Sequence, residues 1–299
     1  MFFKFLKRFL AAAGIASASW AAPQPAPILA PARPALWEVS DPDTTIYLFG
    51  TIHLLPANYS WRSPALDNAI AKSDELYVET IVDPRHPEGI RNALFALDNS
   101  QSLPPIADRV APARRPLLEA AIAKSGLPRE SFDKMETWAA AFRLLGVQFA
   151  QIGLQGENGV EQTLKEAFAA NGKPIGQLET NAEQLAYFDS LPEASQRALL
   201  EGSIEPAQVA GPDFAKMLSG WAKGDVNEIA KTFNRDLSDS PDLTQTLLMK
   251  RNANWSSWIE GRLKQPGTVM IAVGAGHLAG HDSVLSRLRD QGFTVTRLQ

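Results

Sequence analysis

The chain has 299 residues, 45% of them hydrophobic, which is enough to bury a large core and excludes disorder as the class. The net charge of -4, with no basic stripe beyond the N-terminus, argues against nucleic acid as a partner. Cysteine is absent, which removes disulfides, thiolate catalysis and cysteine-held zinc, so any metal must be held by nitrogen and oxygen.

Residues 1–8 are basic and apolar, Phe9 to Trp20 is apolar and small, and Ala21-Ala22-Pro23 follows. That order reads as a secretory signal over 1–22, cleaved between Ala18 and Ala22 and too short for a full membrane span. The expected location is periplasmic or secreted, with membrane contact only through this segment if it is left uncleaved. Residues 23–35 alternate Pro and Ala, an extended linker, and the globular part should occupy 36–299.

Leu36 to Ser40, the turn Asp41-Pro42-Asp43-Thr44, and Thr45 to Phe49 read as strand, turn and strand. Ser63 caps a helix with Pro64 at its first position, running to Lys72, and a strand ending at Glu79 follows. Residues 84–172 are mostly helical, with Phe132 to Ile152 the clearest amphipathic helix and Gly159-Val160-Glu161 opening another to Ala170. The turn Asn171-Gly172-Lys173-Pro174 feeds a strand ending at Glu179. A second helical block spans 181–265, then come a strand from Gly267 to Val273, a short helix and a last strand over 292–299. The fold class is α/β (α+β): one central mixed β-sheet carrying helical insertions, not two independent domains.

Two phrases are doubled. Ile46-Tyr47-Leu48-Phe49-Gly50-Thr51-Ile52-His53-Leu54 and Met270-Ile271-Ala272-Val273-Gly274-Ala275-Gly276-His277-Leu278 are each an apolar run breaking into Gly-x-x-His-Leu, in a chain with 4 histidines. A buried strand that stops at glycine and presents an imidazole puts it at the carboxyl end of a sheet, where open α/β sheets hold their sites. Gly50 and Gly274 leave room for a sharp turn or a close backbone. The second phrase, Glu75-Leu76-Tyr77-Val78-Glu79-Thr80 against Pro174-Ile175-Gly176-Gln177-Leu178-Glu179-Thr180, ends each strand on a carboxylate. His53 and His277 are therefore expected in one site with Glu79 or Glu179, a metal or acid/base constellation.

The bland readings compete. Glu79 would otherwise cap a segment or face water, Glu179 lies before a Thr180-Asn181 helix start, and Glu161 suits the first turn of its helix. His281 follows His277 by four positions but lacks the Glu of the metalloprotease helix motif, so it reads as an exposed residue. His86 sits in a Pro-rich surface loop. Arg251-Asn252 would ordinarily be a solvated helix face, and Trp138, Trp221, Trp255 and Trp258 read as core or groove lining.

Taken together, Leu48-Phe49-Gly50-Thr51-Ile52-His53, the Glu79 strand, Gly159-Val160-Glu161, Leu178-Glu179-Thr180, Arg251-Asn252 and Val273 through Gly280 resemble the TraB/PrgY/GumN family, whose animal relatives include the Tiki proteases. The resemblance runs from about Leu36 to the C-terminus. It implies a Tiki-like topology related to the erythromycin-esterase-like proteins, and a metal-dependent peptidase built on the two Gly-x-x-His motifs and an acidic residue. His53 and His277 match the motif histidines, Glu79 the strand glutamate and Arg251-Asn252 the polar pair. A C-terminal membrane anchor, as in Tiki, is missing from the pattern.

The expected mechanism has His53 and His277, with Glu79 or Glu179 supplying an oxygen, holding Mn, Co or Zn, whose bound water becomes hydroxide near neutral pH. Glu79, Glu179 or Glu161 serves as base and Arg251 steadies the oxyanion, with Gly50, Gly274, Gly276 and Asn252 in support; the substrate is a peptide or small molecule. Two other readings stand beside it: a metal-independent His/Glu ester hydrolase, and a haem- or iron-binding protein without turnover.

Overall fold

The computed structural model describes residues 32–82, 88–98, 102–151, 153–154, 156–238 and 240–299. The expected signal, the linker up to residue 31 and His86 lie outside them. Residues 32–35 are packed: Ala32 and Ala35 are buried, and Arg33 donates its N–H to the Ala222 carbonyl at 2.7 Å.

Strands β1 (Leu36–Ser40) and β2 (Thr44–Thr51) form the expected hairpin, antiparallel from Leu36 opposite Phe49 to Ser40 opposite Thr45. Asp41 closes the turn, its Oδ1 accepting from the N–H groups of Asp43 and Thr44 at 3.2 and 2.8 Å. Helix α1 (Pro64–Lys72) starts where Ser63 Oγ accepts from the Leu66 N–H. Its far end is held by the Lys173 ammonium, which donates to the carbonyls of Ile70, Ala71 and Ser73 at 3.0, 2.8 and 2.6 Å, a cation placed at the negative end of the helix dipole. Strand β3 (Glu75–Val78) follows.

The first helical block comprises α2 (Glu88–Leu97), α3 (Arg115–Ser125), α4 (Arg129–Asp133), α5 (Thr137–Gln151) and α6 (Val160–Ala170). The single helix expected from Phe132 is broken. Helix α4 ends at Asp133 and α5 begins at Thr137, because the intervening carbonyls are bound elsewhere. The buried Arg109 guanidinium takes those of Asp133 and Met135 at 2.8 and 2.6 Å, and Asp133 Oδ1 accepts the Ile106 N–H at 2.7 Å. An apolar period carries no trace of an arginine reaching in from another segment.

After β4 (Ile175–Gln177) the second block holds α7 (Asn181–Asp189), α8 (Glu193–Ser203), α9 (Ala207–Ala222), α10 (Val226–Ser238) and α11 (Pro241–Leu243). A π-helical segment, Thr244–Met249, then runs without a break into α12 (Lys250–Arg262). Strand β5 (Gly267–Gly274), helix α13 (Val284–Asp290) and β6 (Val295–Arg297) complete the chain. Among the described residues no helix is long and apolar enough to cross a membrane.

The six strands form one mixed sheet in the order β4-β3-β5-β2-β1-β6. The first four run parallel, and β1 is antiparallel to both its neighbours. Both faces are covered, so β2 and β5 read as continuous apolar runs. Tyr47, Phe49, Met270 and Ala272 point to one core; Ile46, Leu48, Ile271 and Val273 point to the other, where Trp255 and Ile259 of α12 and Leu285 of α13 meet them. The four parallel strands all end on one side of the molecule.

Candidate active site at the sheet end

The doubled phrases become neighbours because β2 and β5 are adjacent and parallel, with Gly50 opposite Val273 and Thr51 opposite Gly274. Gly50 lets the turn after β5 pass closely, since a Cβ there would stand 3.1 Å from the Ala275 Cα and that backbone would have to give by a few tenths of an ångström. Gly274 uses its backbone instead, donating its N–H to Glu79 Oε1 at 2.7 Å. Gly276 lies in the buried 3-10 turn Ala275–Leu278 that delivers His277. In sheet order, Glu179, Glu79, His277 and His53 therefore follow the ends of β4, β3, β5 and β2. The β3 and β4 phrases are tied beyond their strands as well, the Glu179 N–H donating to the Glu79 carbonyl at 2.8 Å.

Arg251 of α12 closes this arc from above. It is 1% exposed, and its guanidinium is surrounded by acceptors. Nε lies 2.9 and 3.1 Å from the Glu179 oxygens, and Nη2 lies 2.8 Å from Glu179 Oε2 and 2.6 Å from Glu79 Oε2. Nη1 meets His277 Nε2 at 3.1 Å. Gln184 of α7 adds a bond to Glu79 Oε2 at 3.2 Å. The His277 ring is held between Asn252, whose Oδ1 is 2.6 Å from Nδ1, and the Trp255 ring at 4.5 Å. An amide oxygen only accepts, so Nδ1 carries the proton, and the Nε2 lone pair accepts from Arg251. The π-helical turn, in which the Lys250 N–H reaches back to the Gln245 carbonyl, stands directly before Arg251 and Asn252.

The electrostatics follow from this geometry. Burial pushes the Glu79 carboxyl up, but Arg251, both histidines and the Gly274 N–H together hold it at about 2. Burial raises Glu179 more than Arg251 lowers it. Burial and then the Arg251 charge depress His277 to about 3, so its imidazole is neutral throughout the physiological range. Arg251 is raised, since the two carboxylates outweigh its desolvation.

His53 and Glu161 form a second unit beside the first. His53 Nδ1 is 2.5 Å from Glu161 Oε2, with the two side chains 12% and 10% exposed. Thr51 donates its hydroxyl to Glu161 Oε1 and so fixes the carboxylate from the strand end. Gly159 brings the segments together: a Cβ there would overlap the His53 carbonyl oxygen, and the next N–H, of Val160, donates to the Ile52 carbonyl at 3.0 Å. Burial lowers the His53 pKa, but the Glu161 charge and contact outweigh it, and the net shift is upward. The charges of Glu79 and Arg251 also act on His53. Its Nε2 is buried with no hydrogen-bond partner among the described residues.

The residues singled out in the sequence thus divide into two groups. Glu79, Glu179, Arg251, His277 and Asn252 form one hydrogen-bonded cluster, and His53 and Glu161 form a separate pair next to it. His281 is 87% exposed and pairs with Asp282 at 2.8 Å. Thr51 and Gln184 escaped sequence reasoning; Thr51, inside the first Gly-x-x-His phrase, carried the better signal. For a divalent metal the donor set does not fit. His53 has Nδ1 turned to Glu161 and Nε2 without a partner, an arrangement compatible with ligation, but the His277 lone pair is taken by Arg251 and a guanidinium already sits between Glu79 and Glu179, so the other expected donors are occupied. Among the described residues no group of three or more His, Cys, Asp or Glu side chains could hold a metal ion. The same Arg251 bond takes the His277 lone pair from a haem iron.

A model of the TraB/PrgY/gumN family matches residues 35–297. The chain is similar to "Uncharacterized protein YbaP" of Escherichia coli (strain K12) and to its namesake in Shigella flexneri. Each is 26% identical over 247 residues, covering 81% of this chain and 87% of the relative. No solved structure matches.

Proposed function

We propose that this chain, which belongs to the TraB/PrgY/gumN family, is a hydrolase of carboxylic esters or amides whose general base is the His53–Glu161 pair, working without a metal. One observation carries the reading: an imidazole whose Nδ1 lies 2.5 Å from a buried carboxylate oxygen while its Nε2 is buried without a hydrogen-bond partner among the described residues. Glu161 holds the ring in the Nδ1–H tautomer and favours its protonated form. Nε2 removes a proton from water as the water oxygen bonds to the carbonyl carbon. The imidazolium then returns that proton to the departing alkoxide or amine, and the bond to it breaks.

The Arg251 cluster stands beside this pair as a fixed array, the guanidinium charge balanced by the ionised Glu79 and with His277 neutral next to it. Residues 1–22, read as a signal, would deliver the activity outside the cytoplasm.

The test is a panel of chromogenic esters and peptide anilides assayed with and without a chelator. Turnover that survives the chelator and falls on the order of a hundredfold or more in both His53→Ala and Glu161→Gln supports the reading. Activity that vanishes with the chelator and returns with Mn, Co or Zn, or that ignores His53→Ala, defeats it.

A further inference from the structure

Strand β2 runs apolar from Ile46 to Phe49 and ends on a hydroxyl, that of Thr51, a residue only 2% exposed. Valine has nearly the same shape, suits a buried strand as well and carries no polar atom, so packing alone gives no reason for threonine here. The hydroxyl has one acceptor, Glu161 Oε1. The carboxylate in turn has little else to hold it: among the described residues its Oε2 makes no hydrogen bond and lies 2.5 Å from His53 Nδ1. Glutamate reaches its carboxylate through several rotatable bonds, whereas χ1 of a β-branched residue is restricted. Thr51 is thus the stiff partner and Glu161 the one that has to be aimed.

Thr51 also stands opposite Gly274, whose N–H donates to Glu79 Oε1 at 2.7 Å. One rung of the β2–β5 ladder therefore presents a donor to each of two carboxylates, to Glu161 through a side chain and to Glu79 through the backbone. The sheet itself sets how the His53 pair lies beside the Arg251 cluster.

From this we infer that Thr51 is a positioning residue: its hydroxyl aims Glu161 Oε2 at His53 Nδ1, so that the neutral ring keeps its proton on Nδ1 and its lone pair on Nε2. It acts through Glu161. The inference rests on the hydrolase reading for its effect on turnover, while the ring reports its own tautomer without any substrate.

The test is heteronuclear NMR of the histidine ring nitrogens in the full chain, with the rings neutral in alkaline buffer, for Thr51→Val, Thr51→Ala and Thr51→Ser. A chain with 4 histidines gives few ring signals, and those of His53 are assigned by their loss in His53→Gln. The natural chain and Thr51→Ser are expected to show His53 protonated on Nδ1, and the two variants without a hydroxyl to show a mixture in which the Nε2–H form is gained. On an ester that the natural chain turns over, kcat should fall about tenfold or more in Thr51→Val with KM little changed, part of the roughly 10²–10⁴-fold that a general base supplies, and should return in Thr51→Ser. A merely structural role would lower stability in urea and leave the His53 nitrogens as they were. If Thr51→Val fails to fold, Thr51→Ala and Thr51→Ser decide. An Nδ1–H pattern absent from the natural chain, kept in a folded variant without the hydroxyl, or lost in Thr51→Ser would overturn the inference. The expected ring patterns without turnover of any ester would support it and count against the hydrolase reading alone.

Discussion

Replacing Arg251 by alanine removes the one cation among two buried carboxylates and leaves the His277 lone pair without its donor. Breaking a buried ion pair by deleting one partner costs about 3–5 kcal/mol, because the remaining charge is left uncompensated, and that is the expectation at neutral pH. The direction agrees with Glu79, whose carboxyl Arg251 helps to hold at about 2 against an ordinary value of 4.5.

The pH dependence follows in sign. In the natural chain Glu79 is depressed, so its contribution is present above 4.5 and is lost as pH falls toward about 2. In Arg251→Ala two buried carboxylates face each other without a cation, and one of them is raised. The variant then regains stability as acid protonates it. The gap between the chains should be widest above neutrality, should begin to narrow as pH falls through the raised value of that carboxylate, and should narrow further between 4.5 and about 2 as Glu79 of the natural chain is protonated. Urea unfolding of both proteins at a series of pH values measures this. A loss under about 1 kcal/mol at pH 8, or a gap that widens in acid, would refute the account of Arg251 as the compensating charge.

Two further substitutions probe the neighbouring pair. Glu161→Gln removes the charge that raises His53 while leaving the burial that lowers it, so the His53 titration, followed by NMR of the ring protons, should move downward; in any measured pH–rate profile the acid limb should move with it. An unchanged titration would mean that Glu161 does not set the protonation of His53. Gly159→Ala places a methyl where the His53 carbonyl stands, and neither backbone can give way cheaply. A loss of about 1–3 kcal/mol in urea unfolding, together with displaced His53 resonances, is expected; a neutral effect would show that the two segments are not locked together.

Much of the sheet was legible because strand signals are local. The doubled phrases marked where β2, β3, β4 and β5 end, and parallel neighbours then bring those ends to one rim. Side-chain pairing was less legible. Nothing in the spacing says that Glu161, from a helix start, turns to His53, or that Arg251 reaches Glu79, Glu179 and His277 at once, since those partners are chosen by packing between distant segments. A reading that placed both histidines on one metal followed the symmetry of the motifs, but the surroundings are not symmetric. Trp255 and Asn252 enclose His277, whereas Thr51 and Gly159 deliver Glu161 to His53. The interruption between α4 and α5 was hidden for the same reason: Arg109 acts from outside the apolar period it breaks.

The positive charge at the rim of the sheet is tethered to the polypeptide rather than drawn from solution. A dissociable ion stabilises its protein in proportion to the logarithm of its free concentration, and dialysis can strip it away. A guanidinium on α12 has no such dependence: every molecule that completes its fold carries one equivalent, and scarcity or competition among cations in the surroundings leaves its occupancy unaltered. Assembly of the centre and docking of that helix on the strands are consequently a single event, and local opening of the helix would dismantle both together.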